Sequence, residues 1–106
     1  DRRATAALCG RLEDASPAVR RSAVEALAKL AEEGNESCVA ALSGYVASGD
    51  EAPVAFAAMR LLGELAGPGS GSATDAACAR LGDEDADVRR AALQLLVGVA
   101  QRGAGR

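Results

Sequence analysis

The chain has no histidine, no tryptophan and only two aromatic residues, Tyr45 and Phe56. Without histidine, the three cysteines lack the base that usually activates a catalytic thiol, and no Gly-x-Ser-x-Gly motif offers a serine nucleophile. Histidine is also the commonest nitrogen ligand of catalytic metals. We therefore expect a protein that is not an enzyme and that carries no cofactor and no metal.

Long apolar runs and a dominant charge are missing as well. No stretch reaches the roughly 18 apolar residues that a transmembrane helix needs, so we expect no insertion into a membrane. Charged residues make up 25% of the chain, but the formal net charge is only −3. Such a balance creates no strong field for phosphates, so nucleic acid is not an expected partner.

The three cysteines are an odd number and show no Cys-x-x-Cys spacing, which disfavours a disulfide framework and a zinc site. They indicate a reducing intracellular compartment, either the cytoplasm or an organelle that the protein reaches after processing. The chain begins Asp-Arg-Arg rather than with methionine, which suggests a processed protein or a piece of a longer one.

An internal repeat dominates what is present. The stretch from Leu12 to Leu27 recurs at Leu81 to Leu96, and the match extends outwards to 14 identities over the 31 positions from Ala4 to Gly34. A separation of 69 residues fits two supersecondary units, so a third copy should lie halfway, and Val54 to Leu65 supplies it. Repeats of this length are typical of stacked helix pairs.

Apolar residues in each repeat follow the 3.6-residue period of a helix, and no segment alternates with period two. We expect an all-α chain of six helices near residues 4–13, 17–33, 36–48, 53–67, 74–81 and 86–101. Ser16, Asn35 and Asp85 are the predicted N-caps, and Gly34 should end the second helix. The single domain 1–106 then contains repeats at about 4–34, 35–67 and 72–101, with a turn at 49–51, a flexible linker at 67–72 and a frayed tail at 102–106.

The first and third repeats share the pattern L-x-D-x-x-x-x-V-R-R-x-A-x-x-x-L, which resembles HEAT repeats, close to the short type also found in phycobilin lyase subunits. The resemblance implies a right-handed α-solenoid whose second helices line a concave, partner-binding side. It also implies a hydrogen-bonded ladder between repeats through Asp14, Arg20, Asp83 and Arg89. The middle repeat has Ser48 and Ala55 at these positions, so the ladder should be interrupted there.

Three functions stay open from the resemblance. The first is a non-enzymatic scaffold for protein–protein interaction, or an accessory subunit of a larger complex. The second is a phycobilin lyase-type subunit that handles a tetrapyrrole, and the third is a solenoid fragment with no independent activity. The missing histidine disfavours the iron-dependent hydroxylases of this fold, and the acidic, aromatic-poor composition disfavours its DNA glycosylases.

Helical phase predicts which second-helix residues point away from the apolar stripe that holds Val19, Ala23, Ala26, Leu27 and Leu30. These form the candidate partner-binding surface: Arg21, Glu25, Phe56, Arg60, Arg90, Gln94 and Val97. Phe56 lies between two arginine positions in this row, a composition typical of interface hot spots. The alternative is that Phe56 turns sideways and packs between repeats.

Two further groups could carry chemistry. Asp83, Asp85 and Asp87 match the first three ligand positions of an EF-hand loop, but Val88 and Gln94 break the rest of the motif, so helix capping is the better interpretation. Cys9 and Cys78 occupy equivalent helix positions and are predicted to be buried. Cys38 lies near a helix start, where a thiolate would be favoured, but no resolving cysteine is nearby in sequence, so a redox role is the lesser interpretation.

Overall fold

The computed structural model describes residues 2–30, 35–48, 52–67 and 69–104. Every regular element in these ranges is a helix. The six helices are α1 (Arg2–Arg11), α2 (Pro17–Leu30), α3 (Glu36–Ser48), α4 (Ala52–Leu65), α5 (Gly71–Arg80) and α6 (Ala86–Ala104).

The helices form two layers. The first helices of the three repeats pack side by side in the order α1, α3, α5, and the second helices follow in the order α2, α4, α6. Within each repeat the two helices also contact one another, so each pair bridges the layers. The molecule measures 33 × 33 × 17 Å, and its smallest dimension is that of two helix layers. The prediction of an all-α solenoid of three helix pairs is confirmed.

Short polar side chains start the helices, as predicted. The Val19 amide donates to Ser16 Oγ at 3.4 Å, and the Cys38 amide donates to Asn35 Oδ1 at 3.0 Å. At α6, the backbone amide of residue 87 donates to Asp85 Oδ1 at 2.8 Å. Each bond satisfies an amide that the first helical turn leaves without a partner.

The ends of four helices differ from the prediction, and α4 ends at Leu65, two residues earlier than expected. Helix α1 begins at Arg2 and ends at Arg11, two residues earlier than expected at both ends. Ser70 Oγ accepts from the Ala73 amide at 3.2 Å and starts α5 at Gly71, so the last two residues of the predicted linker are helical. Helix α6 continues to Ala104, three residues into the predicted tail. The predicted stop at residue 34 and the turn at 49–51 lie outside the described residues.

A continuous cluster of small and branched side chains fills the space between the layers. The largest fully buried side chains are Leu27, Cys38, Leu42, Val46, Leu62, Val88 and Val99. More than half of the buried apolar residues belong to the middle repeat, because a neighbouring repeat covers it on both sides. Ala55 is buried at the position where the other repeats carry arginine, so apolar packing replaces a polar contact there.

The structure describes bonds from both of the arginines that were predicted to form a ladder between repeats. Arg20 Nη1 donates to the backbone carbonyl of Asp14 at 2.6 Å, and Arg89 Nη1 donates to the carbonyl of Asp83 at 2.6 Å. Both bonds lie inside one repeat. A guanidinium six residues beyond the aspartate folds back over the turn and meets a carbonyl oxygen that has no helical partner.

The carboxylates of the same two turns bind their own neighbourhood as well. Asp14 pairs with Arg11 at 3.1 Å, and Asp83 pairs with Arg80 at 2.5 Å. The other oxygen of each carboxylate accepts a backbone amide two residues further on, at 2.8 Å in both turns. The motif therefore shapes the turn inside the first and third repeats.

Three residues predicted to be buried are exposed. Val19 and Leu30 were placed on the apolar stripe of α2, and Cys78 was expected to pack like Cys9. All three lie in the terminal repeats, on sides where no further repeat of this chain packs against them. Burial at these positions depends on a neighbour as well as on helical phase.

Ser43 is the weak point of the core. It is buried in α3, and within the described part of the chain its hydroxyl has no hydrogen-bond partner. The equivalent positions in the other repeats hold Cys9 and Cys78, which need no such bond. A buried hydroxyl without a partner costs about 1–3 kcal/mol.

We expect Ser43→Ala to raise the free energy of unfolding by about 1 kcal/mol, because it removes an unsatisfied group and leaves only a small void. Urea denaturation followed by circular dichroism measures the change. Ser48→Ala is the matched control, because Ser48 is an exposed residue and its hydroxyl already donates to the Tyr45 carbonyl at 2.8 Å. Destabilisation by Ser43→Ala would mean that the hydroxyl is satisfied in solution.

Candidate partner-binding groove

The second helices form one face of the molecule, hereafter the second-helix face. The residues predicted to bind a partner are distributed over all three of its helices: Arg21 and Glu25 on α2, Phe56 and Arg60 on α4, and Arg90, Gln94 and Val97 on α6. Six of the seven are exposed, and Phe56 is half-buried.

A groove of about 430 Å³ runs between α4 and α6 on this face. Its α4 wall is made by Phe56, Met59, Arg60 and Gly63, and its α6 wall by Asp87, Arg90, Ala91, Gln94, Leu95 and Gly98. Four of the seven predicted residues therefore line one cavity. Arg21, Glu25 and Val97 lie elsewhere and do not line it.

The sequence left two positions open for the Phe56 side chain, one on the groove side and one packed between repeats. Its side chain packs against the buried core, and it also forms part of the groove wall. The equivalent positions carry exposed Arg21 and Arg90, whose long side chains reach solvent. A half-buried aromatic ring in a groove offers a partner apolar area that is already held in place.

The apolar floor of the groove has a charged rim. Met59 and Leu95 are buried beneath it, while Arg60, Arg90 and Gln94 are exposed around it. Arg90 Nη1 lies 3.6 Å from Asp87 Oδ1, but both side chains are more than half exposed, so this pair is weak. The guanidinium of Arg90 is therefore available to a partner at little cost.

Two glycines inside helices leave the space that the groove occupies. A Cβ at Gly63 would lie 3.6 Å from Leu95 Cδ1, an ordinary contact that would narrow the cleft. At Gly98, no described atom of another element lies within 4 Å of a Cβ. Glycine in a helix interior costs about 1 kcal/mol relative to alanine. Glycines at these two helix positions were the sequence feature that could have indicated the groove. Helical phase did not select Gly98.

A second cavity of about 560 Å³ lies beside the α1–α2 turn. It is lined by Leu12, Glu13, Asp14, Arg20, Ala40, Ala41, Gly44, Tyr45 and Ser48. The guanidinium of Arg20 and the carboxylate of Asp14 already bind groups of that turn, and Tyr45 is buried. The second cavity therefore offers a partner fewer available side chains than the α4–α6 groove.

The acidic turn before α6 caps that helix. Asp83 and Asp85 accept backbone amides, as described above, which agrees with the capping interpretation. Over the described ranges, no group of three or more His, Cys, Asp or Glu residues is arranged to hold a metal ion. No helix among the described residues has the length and apolar character to cross a bilayer.

The structure corrects the predicted burial of Cys9 and Cys78 and disfavours a redox role for Cys38. Cys38 is fully buried, and burial, followed by the neighbouring Cys9 thiol, raises the pKa of Cys38 to about 12. The start of α3 therefore disfavours the thiolate that a redox role would need. Cys9 is half-buried and Cys78 is exposed, although both were predicted to be buried.

We expect a thiol-specific reagent to modify Cys78 rapidly in dilute solution and Cys38 only after unfolding, with peptide mass spectrometry identifying each site.

The pKa of Cys38 also makes the stability of the fold depend on pH. Since the folded-state pKa of about 12 exceeds the ordinary thiol pKa of 9.0, the unfolded chain loses this proton first. The stabilisation is complete below pH 9.0 and is lost as the pH rises towards 12.

Cys38→Ala provides the control for that pH dependence, because other groups also titrate in alkali. The wild-type chain should lose stability more steeply than the variant between pH 9.0 and about 12. Equal slopes would contradict the raised pKa.

Comparison with known proteins agrees with this geometry. A family model described as HEAT repeats matches residues 5–97. No curated protein and no solved structure matches the chain. HEAT repeats are typical of non-enzymatic scaffolds for protein interaction. The match covers nearly the whole chain and all three helix pairs, and the chain therefore belongs to the HEAT-repeat family.

Proposed function

We propose that this protein is a non-enzymatic interaction scaffold, or an accessory subunit of a larger assembly, that binds a protein partner on the second-helix face. The observation that carries the proposal is the groove between α4 and α6, with half-buried Phe56 in its wall and the Arg60 and Arg90 side chains at its rim. Arg21, Glu25 and Val97 extend the contact area along the same face.

The composition of the groove supports protein binding. Hot spots in interfaces are enriched in aromatic residues and arginine, set in pockets that exclude water. Phe56 supplies the ring, and buried Met59 and Leu95 supply an apolar floor. A partner segment that places an apolar side chain in the groove and a carboxylate beside Arg60 or Arg90 would match both the apolar floor and the charged rim.

The three free cysteines support a reducing compartment as the site of this function. Cys78 is exposed, and an exposed thiol oxidises readily where disulfides form. The proposed location therefore remains intracellular.

Phe56→Ala tests the role of the ring. Because Phe56 is half-buried, we expect its loss to lower the free energy of unfolding by less than about 2 kcal/mol, whereas a fully buried phenylalanine costs about 3–5 kcal/mol. Partner affinity should fall at least tenfold, or about 1.4 kcal/mol. A loss of 3 kcal/mol or more in stability with unchanged affinity would make Phe56 a core residue only.

The partner itself is to be found by affinity purification from the cells that express the chain, with the wild type beside groove variants. Gly98→Leu fills the groove, and Gly44→Leu is its matched control in the first-helix layer, since among the described residues neither Cβ meets a neighbour within 4 Å. Gly98→Leu and Phe56→Ala should both lose a partner that Gly44→Leu retains. A partner that is indifferent to both groove variants would contradict the proposal.

A further inference from the structure

The two ends of the solenoid expose positions that are buried inside it. Val19 is 37% exposed, whereas its equivalent Val88 in the third repeat is 1% exposed. Leu30 is 49% exposed, whereas its equivalent Val99 is 2% exposed. These positions of a second helix face the preceding repeat. We define the N-terminal end face by Ala4, Ala7, Leu8, Val19 and Leu30.

The opposite end shows the complementary pattern. Leu93 in α6 is 52% exposed, whereas its equivalent Val24 in α2 is 2% exposed beneath the next repeat. Cys78 and half-buried Leu81 likewise correspond to half-buried Cys9 and buried Leu12. We define the C-terminal end face by Thr74, Cys78, Leu81, Leu93 and Leu96.

The C-terminal end face repeats a surface that already binds a HEAT helix pair in this chain. Four of its five residues are identical to the first-repeat set Thr5, Cys9, Leu12 and Leu27, and the fifth replaces valine by leucine. In the first repeat these residues lie where α1 and α2 pack against α3 and α4. The last repeat therefore carries the same docking surface, and no helix pair among the described residues packs upon it.

The N-terminal end face is equally suited to receive such a surface. Ala4, Ala7 and Val19 are identical to Ala73, Ala76 and Val88, which are buried in the third repeat where α5 and α6 pack against the middle pair. Leu8 and Leu30 replace Ala77 and Val99 and enlarge the apolar area. Both halves of an inter-repeat contact are thus present on one molecule, at opposite ends.

Contacts inside the solenoid are head-to-tail, because the rear of one repeat meets the front of the next. The net charges of the two ends do not oppose the same arrangement between molecules, because residues 1–34 contain six basic and six acidic residues and residues 68–106 contain five of each.

We propose that a second copy of this chain stacks its N-terminal end face on the C-terminal end face of the first, which continues the solenoid between molecules. The contact is heterologous, so it leaves one free end face of each kind and allows further copies to add. It uses the ends of the solenoid and not the groove, so it stands independently of the proposed partner site. Association would present several α4–α6 grooves in a row and so raise avidity for a repetitive partner.

Sedimentation velocity of the purified chain at increasing concentration tests the association. The wild type should form dimers and longer species, whereas Leu93→Glu or Leu30→Glu alone should be monomeric at the same concentration. An equal mixture of the two variants should form dimers and nothing longer, because only one intact pair of faces remains. Both leucines are about half exposed, so the variants should fold, and circular dichroism checks this. Leu93→Gln and Leu30→Gln offer a milder uncharged pair.

Ala79→Glu and Ala6→Glu are the matched controls, because their positions are exposed in all three repeats and lie on neither end face. They should associate as the wild type does. A wild type that stays monomeric throughout would overturn the proposal. A symmetric dimer would also overturn it. In that case Leu93→Glu would abolish association, Leu30→Glu would leave it intact, and mixing the two variants would not restore it.

Cys78 gives a second readout in the unmodified sequence. It lies on the C-terminal end face, so stacking should slow its reaction with a thiol reagent as protein concentration rises, and Leu30→Glu should abolish that slowing. The contact would lie elsewhere, and the proposal would be overturned, if the reaction rate of Cys78 did not change with wild-type concentration in the range where larger species sediment.

Discussion

Apolar contact between one helix pair and the next is the interaction on which this structure depends. A single pair cannot enclose its apolar positions, because some of them are covered only where a neighbouring repeat packs against the pair. The same sequence position is consequently buried at Val88 and open at Val19. Stability in such an array is close to a sum over repeats and the interfaces between them. The middle pair, which has two interfaces, holds most of the core.

Much of the fold could be read from the sequence because its determinants are local. The Val-Arg-Arg repeat gave the number of helix pairs, and Ser16, Asn35 and Asp85 marked helix starts because a cap needs only its own first turn. The exposure of Val19, Leu30 and Cys78 could not be read in this way. Helical phase states which way a side chain points, and only the stacking order states whether anything lies there.

The candidate site was predictable in part for a related reason. Phase placed Arg90 and Gln94 on the second-helix face, where the structure has them. It could not show that Phe56 and Arg90 line one cavity, because the width of the cleft depends on Gly63 and Gly98 and on how closely α4 approaches α6. The turn arginines were assigned to contacts between repeats, whereas Arg89 binds the carbonyls of its own turn.

Each repeat is stabilised by its neighbours, and native-state hydrogen exchange tests this dependence most directly. Because α3 and α4 are covered on both sides, their amides should exchange slowest, in dilute solution, with α1, α2 and α6 opening at lower free energy. Protection that is weakest in the middle pair would contradict the account. Such a result would mean that the middle repeat loses more stability from having Ala55 in place of arginine than it gains from the apolar packing of Ala55.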